Sequence, residues 1–586
     1  MRKINFLLCG LIGLAMTACS GDEPNADGKP DDKGDGQGES FVALNIINAN
    51  SGPRSRADEP TGTDENGDTA QKEDGSKYED GTDAENTVTN ARCYFFDKDG
   101  GAYTVNTTGE NWSDFMPTPT SDVDDDNISK ICKGTVVMAF DKKDNINDLP
   151  KKMVVVINIP DDTTPFDGTL SLTDLKEKLA TYSKDELKSF GPGKTGFLMA
   201  NSVYRTAADG DENPAKLACE IDIPEKAIQT SIELAEENPV DVYVERIAAK
   251  LTLAAAAEAT DVTDMKFPLY APTGEEGTST KFTYNNKEVF AKILGFVPTE
   301  LTNETYVVKD IDIKWTKESL GFTWNSPSRL RSFWAKSPAF KDANVFPDYK
   351  NIRRLINPFS FNDIVTKGLS EKYCLENTLS DNHTKVLVAA QLQDNEGNPI
   401  EMAEWNGIRC EKKDLPERIA NLLKGNLYTD DKGENAVSAN DIDFVAVEQD
   451  IEKGRYGVTP KLKEGENITY YEKDTTGKIN EVSKENLKKY NATLAKAPTM
   501  IWTNGYCYYY VDIKHYGSTG STGEYGVVRN HVYKTAIEKV VGLGTPVFDP
   551  TLEIIPELPA EKYSYIAARI SILSWHIVNN SVILGK

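Results

Sequence analysis

The sequence predicts an all-β protein with minor helices. Turn-forming residues are abundant, with 42 Gly and 28 Pro, and short runs rich in Val, Ile, Thr and Tyr lie between them. At 586 residues the chain is longer than one ordinary domain. Two large β-rich domains, or three smaller ones, are therefore expected.

The first nineteen residues are predicted to be a signal peptide and not part of the fold. Arg2 and Lys3 precede the apolar run Phe6–Met16, which is too short to span a bilayer as a stable helix. The run ends in Met-Thr-Ala-Cys, which resembles a lipobox, so Cys19 is expected to be diacylated and to become the mature N-terminus. The residue after Cys19 is not Asp, which favours outer-membrane sorting. An ordinary signal peptide cut near Ala18 is the alternative.

The next segment, from position 20 to about 86, has a disordered composition that is interrupted by one apolar island. The residues are mostly Gly, Asp, Glu, Lys, Pro and Thr, and such a chain buries too little apolar surface to offset its ordering entropy. The island, Phe41–Ile47, has the length and β-branching of a strand. Arg54 and Arg56 follow it in a flexible stretch, and the Arg56-Ala57 bond is accessible to a protease. The pattern predicts a strand that proteolysis can remove, or else an ordinary edge strand with a linker.

Folded sequence is expected from about residue 87 onward. Runs rich in β-branched and aromatic residues predict strands at Ala91–Phe96, Ala102–Val105, Thr135–Phe140, Met153–Ile159, Val242–Leu253, Tyr306–Lys309, Lys385–Leu392, Met500–Trp502, Cys507–Ile513 and Gly526–Lys534. Leu172, Leu175 and Leu179 recur at helical spacing, which predicts a short helix over Thr173–Thr181 capped by Ser171 or Thr173.

The C-terminus carries a long strand pattern without a charged tail. Small or polar residues alternate with apolar ones from Tyr563 to Val578, and Asn579-Asn580 is a turn candidate before the last apolar run. A long apolar terminal strand is a pairing hazard unless pairing is its purpose. Pairing within the subunit and strand addition to another subunit are both consistent with the pattern.

Composition and motifs argue against several function classes. A net charge of −26 and a pI of about 4.8 disfavour nucleic-acid binding, because the surface repels phosphates. The four histidines lack metal-ligand spacing, and no nucleophile elbow or phosphate-binding loop is present. Cys374 and His383 lack an orienting partner for nucleophilic catalysis. The chain is therefore not expected to be an enzyme or to need a metal or cofactor.

A row of tyrosines and the six cysteines beyond the signal can each be interpreted in two ways. Tyr506, Tyr508 and Tyr510 lie on one face of a predicted strand, where core packing is favoured over sugar stacking. The cysteines beyond the signal could form disulfides or be buried thiols, and their positions do not decide between these: Cys93, Cys132, Cys219, Cys374, Cys410 and Cys507.

Six stretches, in this order along nearly the whole chain, resemble the type V pilin (fimbrillin) family of Gram-negative surface fimbriae, and most of all its Mfa-like major subunits. They are Phe197–Asn201, Val244–Leu251, Arg331–Pro338, Tyr373–Thr378, Gly526–Lys534 and Gly542–Val547.

The resemblance implies a fold of two transthyretin-like β-sandwich domains, and we assign 57–240 and 241–586 to them. It also implies a stalk subunit that polymerises by donor-strand exchange in a cell-surface fimbrium and supports adhesion and biofilm formation. After signal removal, residues 20–56 would be a propeptide, which an Arg-specific protease removes by cutting after Arg56, or after Arg54 as second choice.

The resemblance further implies that the N-terminal strand is a placeholder, that the C-terminal strand is a donor, and which partners the chain has. The expected placeholder residues are Phe41, Val42, Leu44, Ile46 and Ile47. The expected donor residues, within 565–584, are Ile566, Ala568, Ile570, Ile572, Trp575, Ile577, Val582 and Leu584. Partners would be identical or related pilin subunits, the processing protease and, through the lipid on the precursor, the outer membrane. A fimbrial tip adhesin or a monomeric glycan-binding lipoprotein remains the alternative.

Overall fold

The computed structural model describes most of the chain from residue 81 to 554, together with the N-terminal strand and three C-terminal strands. The described residues are 38–49, 81–105, 109–119, 128–140, 149–160, 166–205, 217–229, 231–256, 264–272, 279–311, 335–338, 357–379, 383–447, 457–497, 499–515, 524–554, 567–568, 570–574 and 576–584. They form many strands in several sheets and a few short helices. The all-β prediction is confirmed.

Most strands before residue 247 belong to a first large sheet. In chain order, the described strands before residue 247 are β1 (Gly38–Ala49), β2 (Ala91–Phe96), β3 (Trp112–Phe115), β4 (Thr118–Pro119), β5 (Ile128–Phe140), β6 (Lys152–Ile157), β7 (Leu179–Thr181), β8 (Met199–Asn201), β9 (Tyr204–Arg205), β10 (Leu217–Ala218), β11 (Ile221–Asp222), β12 (Ile228–Gln229) and β13 (Val240–Arg246). The order across this sheet is β3-β2-β6-β8-β13-β1-β5-β4, with β11 on β6 and β12 on β1. The N-terminal strand is therefore internal to the sheet.

A second large sheet is built by strands on both sides of a long excursion. The strands that precede the excursion are β14 (Ala248–Ala255), β15 (Lys266–Pro272), β16 (Ser279–Lys281), β17 (Thr283–Tyr284), β18 (Lys287–Glu288), β19 (Phe290–Thr299), β20 (Glu304–Tyr306), β21 (Lys372–Leu375) and β22 (Lys385–Gln393). The excursion contains β23 (Met402–Trp405), β24 (Ile408–Glu411), β25 (Leu427–Tyr428), β26 (Ile442–Val447), β27 (Gly457–Leu462), β28 (Tyr471–Lys473), β29 (Ile479–Glu481) and β30 (Thr499–Trp502). The last strands are β31 (Tyr506–Asp512), β32 (His531–Val541), β33 (Thr545–Pro546), β34 (Ala567–Ala568), β35 (Ile570–Ser574) and β36 (His576–Leu584).

The order across the second sheet is β33-β31-β22-β19-β15-β32-β35-β36-β34, with β14 on β32, β21 on β14 and β16 on β15. The short pairs β17-β18, β9-β10 and β7-β20 stand outside both large sheets.

The helices are short, and serine caps begin most of them. They are α1 (Leu172–Lys176), α2 (Lys184–Lys188), α3 (Ile232–Glu236), α4 (Phe361–Lys367), α5 (Leu415–Leu423) and α6 (Lys484–Leu494). The helix predicted over Thr173–Thr181 is correct only in its first half. It begins after the Ser171 cap, but Leu179–Thr181 forms β7 and pairs with β20, because that long-range ladder overrides the helical spacing.

Both faces of strand β2 in the first sheet are buried, which explains its continuous apolar run. On β2, Cys93 and Phe95 face a core within the first sheet's own part of the chain, whereas Tyr94 and Phe96 join a larger cluster. That larger cluster also contains Phe296 and Tyr533 from the second sheet. Alternate side chains of one strand thus enter two cores, and the two sheets share continuous apolar packing.

Candidate functional site

The N-terminal strand β1 fills a slot between two neighbours of the first sheet. On one side it is antiparallel to β5 along its whole length, from Gly38↔Phe140 to Ala49↔Ile128. On the other side its second half is parallel to β13, with Leu44↔Val240 through Ile47↔Tyr243. Its first half pairs with β12 on that side. The predicted strand Phe41–Ile47 lies within β1, and main-chain hydrogen bonds hold it from both sides.

The middle of β1 contributes apolar side chains to the core of the first sheet. Val42 and Leu44 are buried and belong to that core. Across the ladder they face Val136 and Gly134. Gly134 has no alternative here, because a Cβ at this position would lie 2.6 Å from Cδ2 of Phe115. The absent side chain thus makes room for the Phe115 ring beside Leu44.

The opposite face of β1 is covered by helix α3. Ala43 lies between Val42 and Leu44 and points to the other side of the sheet, yet it is buried. Helix α3 contacts β1 and β5 and buries Ala235, while Ile232 and Leu234 stay exposed on its outer side. The middle of the strand, Val42–Leu44, is therefore buried on both faces, and neighbouring strands pair with β1 along both edges.

Loss of β1 would leave a defined acceptor for another strand. The edges of β5 and β13 would each present unpaired N–H and C=O groups, which is the arrangement that recruits an added strand. The walls of the slot would also expose apolar side chains that now share a core with Val42 and Leu44, including Val136, Val240 and Val242. Sequence reasoning predicted the strand and part of each wall, because Thr135–Phe140 lies in β5 and Val242–Leu253 begins in β13. It did not predict that both walls pair with β1.

The C-terminal segment is paired within the subunit. Strand β36 runs parallel to β32, from Val532↔Ile577 to Val540↔Leu584, and turns back on β35 at Leu573↔His576. The prediction of a turn at Asn579-Asn580 is wrong, because both residues lie inside β36 opposite Lys534 and Thr535. Their ladder pairing prevails over local turn propensity.

The predicted donor residues are therefore distributed over a hairpin and its flank. Ile570 and Ile572 lie in β35, Ile577, Val582 and Leu584 lie in β36, and Ala568 lies in β34. Several other predicted residues lie outside the described part of the chain: Cys19, Arg54, Arg56, Ala57, Ile566 and Trp575.

One residue separates the slot from the sheet that holds the C-terminal strand. Strand β13, a wall of the slot, ends at Arg246, and β14 begins at Ala248. Strand β14 then runs parallel to β32, with Lys250↔Val532 through Ala255↔Ile537, and β32 is the partner of β36.

A buried charged cluster surrounds this link. Nζ of Lys309 lies 3.1 Å from Oε1 of Glu245, and Nε of Arg529 lies 3.3 Å from Oε1 of Glu376. Arg529 also donates to the main-chain oxygens of Val307 and Tyr306. Burial raises the pKa of Glu245, opposed by Lys309. Charges this deeply buried persist only when they are paired and hydrogen-bonded.

A second group of charges extends the cluster across the link. Nη1 of Arg246 donates to Oδ1 of Asn530 at 2.8 Å, and its Nε donates to the carbonyl oxygen of Glu85 at 3.0 Å. Nζ of Lys250 lies 3.2 Å from Oε1 of Glu85. Burial lowers the pKa of Arg246 to about 10. Most of these residues come from the stretches on which the resemblance was recognised, so runs that are far apart in the sequence meet here.

The residues considered for catalysis and sugar binding serve packing instead. His383 Nε2 lies 2.9 Å from Oδ1 of Asp512 and its ring stacks on Tyr525. Burial raises the pKa of the Cys374 thiol to about 12, which disfavours the thiolate that a nucleophile needs. Tyr508 and Tyr510 are buried and pack edge to face.

The remaining chemical alternatives concern thiols, metals and membranes. The six cysteines beyond the signal are all buried, and Cys93, Cys219, Cys374, Cys410 and Cys507 are free thiols. Over the described ranges, no group of His, Cys, Asp and Glu is arranged to hold a metal ion. A helix with the length and apolarity needed to cross a membrane is likewise missing from those ranges.

Comparisons with known proteins give one sequence match and several weak structural likenesses. Residues 500–581 match the family model described as major fimbrial subunit protein type IV, fimbrillin, C-terminal. No curated protein matches the chain.

Three of the similar solved structures are fimbrial proteins. A fimbrial assembly protein from Parabacteroides distasonis is 11% identical, covers 76% of this chain and 100% of its own, and gives a TM-score of 0.27. A fimbrilin from Porphyromonas gingivalis is 10% identical, with 93% and 97% covered and a TM-score of 0.29. The tip fimbrial protein Mfa3 from Porphyromonas gingivalis, truncated at its C-terminus, is 9% identical, with 86% and 95% covered and a TM-score of 0.28.

The matched region coincides with the strands that hold the C-terminus. Residues 500–581 contain β31, β32 and most of the C-terminal hairpin. The structural likenesses are too weak to carry an argument about function. The resemblance of the chain to the type V pilin (fimbrillin) family, which its sequence stretches predicted, is confirmed, and it rests on residues 500–581.

Proposed function

We propose that this protein is a structural subunit of a cell-surface fimbria, a stalk pilin that polymerises by donor-strand exchange, and that it has no catalytic activity. The observation that carries the proposal is the enclosed position of β1 between β5 and β13. If proteolysis releases β1 from this position, the empty slot can accept a strand from another subunit. The similarity of residues 500–581 to the fimbrillin C-terminal region supports a fimbrial role and assembly with related subunits.

In the proposed mechanism, proteolysis starts the exchange. An Arg-specific protease cuts after Arg56, or after Arg54, and β1 loses its covalent connection to the folded body. The C-terminal strand of another subunit, from the segment 565–584, then enters the slot. Each fully buried apolar side chain of the incoming strand contributes about 1.5–3 kcal/mol. Because each subunit offers one slot and one strand, assembly is heterologous and open-ended.

The remaining parts of the proposal concern location and organisation. A lipid on Cys19 anchors the precursor at the outer membrane until residues 20–56 are removed. The division into two transthyretin-like β-sandwich domains, 57–240 and 241–586, also belongs to the proposal. The assembled fimbria would support adhesion and biofilm formation.

The experiment follows polymer formation after cleavage. Purified precursor, without its signal peptide, is treated with an Arg-specific protease and examined on native gels and by intact mass. We expect loss of the peptide that contains β1 and a ladder of polymers. The Arg54→Gln/Arg56→Gln double variant should stay monomeric, and so should a chain that ends at Arg569. A cut wild-type protein that loses β1 and remains a monomer would overturn the proposal.

A second candidate is favoured by the pairing of β36 with β32 in the same subunit. A chain whose terminal strand is already paired is complete as a monomer. It could then be a fimbrial tip adhesin or a monomeric surface lipoprotein that binds glycan. Retention of β1 after protease treatment, together with binding to a glycan array, would favour this candidate.

A further inference from the structure

The long excursion between β22 and β31 begins and ends on neighbouring strands. Gln391 and Tyr506 are paired partners in the antiparallel ladder of β22 and β31, although more than one hundred residues lie between them. The Gln391 amide donates to the main-chain oxygen of Asn504 at 2.9 Å, which holds the two ends together. The excursion therefore leaves the second sheet and returns to it at one place.

The boundary between two hydrophobic cores falls within this stem. Met402 and Trp502 are directly opposite each other on β23 and β30 and belong to the large core of the main sheets. The next pair, Ala403 and Ile501, belongs to a separate cluster. Because successive side chains of a strand point to opposite faces, the two cores lie on the two faces of this ribbon, and Met500 on β30 also packs against the large core.

The separate cluster is supplied by the excursion itself. Its buried members come from α5, β25, β26, β27, α6 and the stem: Ala403, Cys410, Leu415, Ile419, Ala420, Leu423, Leu427, Val437, Ile442, Val458, Leu462, Tyr470, Leu494 and Ile501. From the main body, Phe548 packs against it as a partly buried neighbour. A set of elements with its own core is the usual unit of local cooperative unfolding.

A partly open pocket of about 50 Å³ lies at the seam between this unit and the body. Its walls include Val458 and Ile501 from the excursion and Phe361, Tyr508 and Val547 from the body. Contact between the excursion and the body is therefore interrupted at this point.

We infer that residues 403–501 form a separable module, inserted into the subunit on one stem, which the body does not need in order to fold. Insertions are tolerated where the two ends of the inserted segment meet. A polar contact that crosses the boundary, the 3.0 Å hydrogen bond that Nδ2 of Asn285 donates to Oε1 of Glu411, is exposed. If the proposed function holds, the module is also dispensable for polymerisation, because neither the slot nor the C-terminal strand includes any of it.

The first test measures hydrogen exchange in the full chain. Ile419→Ala removes a buried side chain from the module core, and Phe296→Ala, its matched control, removes one from the large core. For Ile419→Ala we expect about 30-fold or faster exchange within 403–501 and less than about twofold change in β19, β22 and β31. A comparable rise in β22 and β31 would overturn the inference. Phe296→Ala should raise exchange in those strands.

The second test removes the module. Replacing 403–501 by Asn-Gly joins the opposed residues Met402 and Trp502 through a two-residue turn. The variant should be soluble and monomeric, should keep the native exchange protection of β19, β22 and β31, and should polymerise after cleavage as the wild type does. An unfolded or aggregated variant would refute the separability of the module. Failure of the wild type itself to polymerise would count against the proposed function and would leave the folding result valid.

Discussion

Truncation of Leu44 tests how much the enclosed position of β1 contributes to stability. Leu44 is 1% exposed and lies in the core of the first sheet. The Leu44→Ala substitution removes its apolar contacts and leaves the hydrogen bonds of β1 in place. We expect a lower free energy of unfolding for the precursor and faster departure of β1 once its chain has been cut.

The expected loss of unfolding free energy depends on how far neighbouring groups can move into the space that Leu44→Ala leaves. Leu→Ala substitutions in cores cost about 2–5 kcal/mol, and the larger costs occur where a cavity remains. Here β5 and β13 hold the backbone of β1 from both sides, and the Phe115 ring already occupies the space above Gly134. We therefore expect the upper part of the range, about 3–5 kcal/mol.

The assay is urea unfolding of the uncut precursor, monitored by near-UV circular dichroism and by exchange in the first sheet. Val137→Ala is the matched control, because Val137 lies on the neighbouring strand opposite Phe41 but is 46% exposed. It should cost less than about 1 kcal/mol. A Leu44→Ala cost below about 1 kcal/mol would refute the reasoning, since β1 would then be only loosely attached.

Three further predictions concern charge, acid and thiols. Arg529→Met leaves Glu376 buried without its cation and should cost about 3–5 kcal/mol in the same assay, and adding Glu376→Gln should recover part of the loss. Hydrogen bonds, first of all from the Thr476 side chain, lower the pKa of Asp474 from 3.8 to about 2. Because the pKa of Asp474 is lower in the folded than in the unfolded protein, the stabilisation that its carboxylate provides is present above about pH 4 and is lost as the pH falls through about 2. The stability difference between wild type and Asp474→Asn should therefore vanish at that pH. A difference that stays constant with pH would contradict this prediction. Burial raises the pKa of Cys374 and Cys507 to about 12, so iodoacetamide at pH 8 should leave both unmodified in the native protein and label both in urea.

The sequence predicted local strands well where composition changes sharply. The apolar island Phe41–Ile47 stands in a polar segment, and the observed strand extends it only to Gly38–Ala49. The C-terminal alternation correctly predicted extended chain. It could not predict a hairpin, because a period of two is the same in one long strand and in two paired ones.

The parts that escaped prediction depend on contacts between distant residues. Leu179 was predicted to be helical but pairs with Tyr306 in a β-ladder. Asn579 was predicted to lie in a turn but pairs with Lys534. The buried cluster around Glu245 could not be singled out among 92 acidic residues. Its one local sign is the presence of charged residues inside the apolar runs of β13 and β14.

Binding of the C-terminal strand to an emptied slot tests the central claim most directly. A subunit that ends at Arg569 is cut with the Arg-specific protease, freed of β1 and mixed with a synthetic peptide of residues 570–584. Two places could accept the peptide, the slot and the edge of β32 that β36 normally occupies. Hydrogen exchange distinguishes them, because each ladder protects the amides of its own partners.

Donor-strand exchange predicts strong new protection in β5 and β13 that depends on prior loss of β1. The uncut truncated subunit should show protection in β32 alone. Protection restricted to β32 in both proteins, with β5 and β13 unchanged after β1 has left, would contradict the proposal that this chain assembles through the slot of its N-terminal strand.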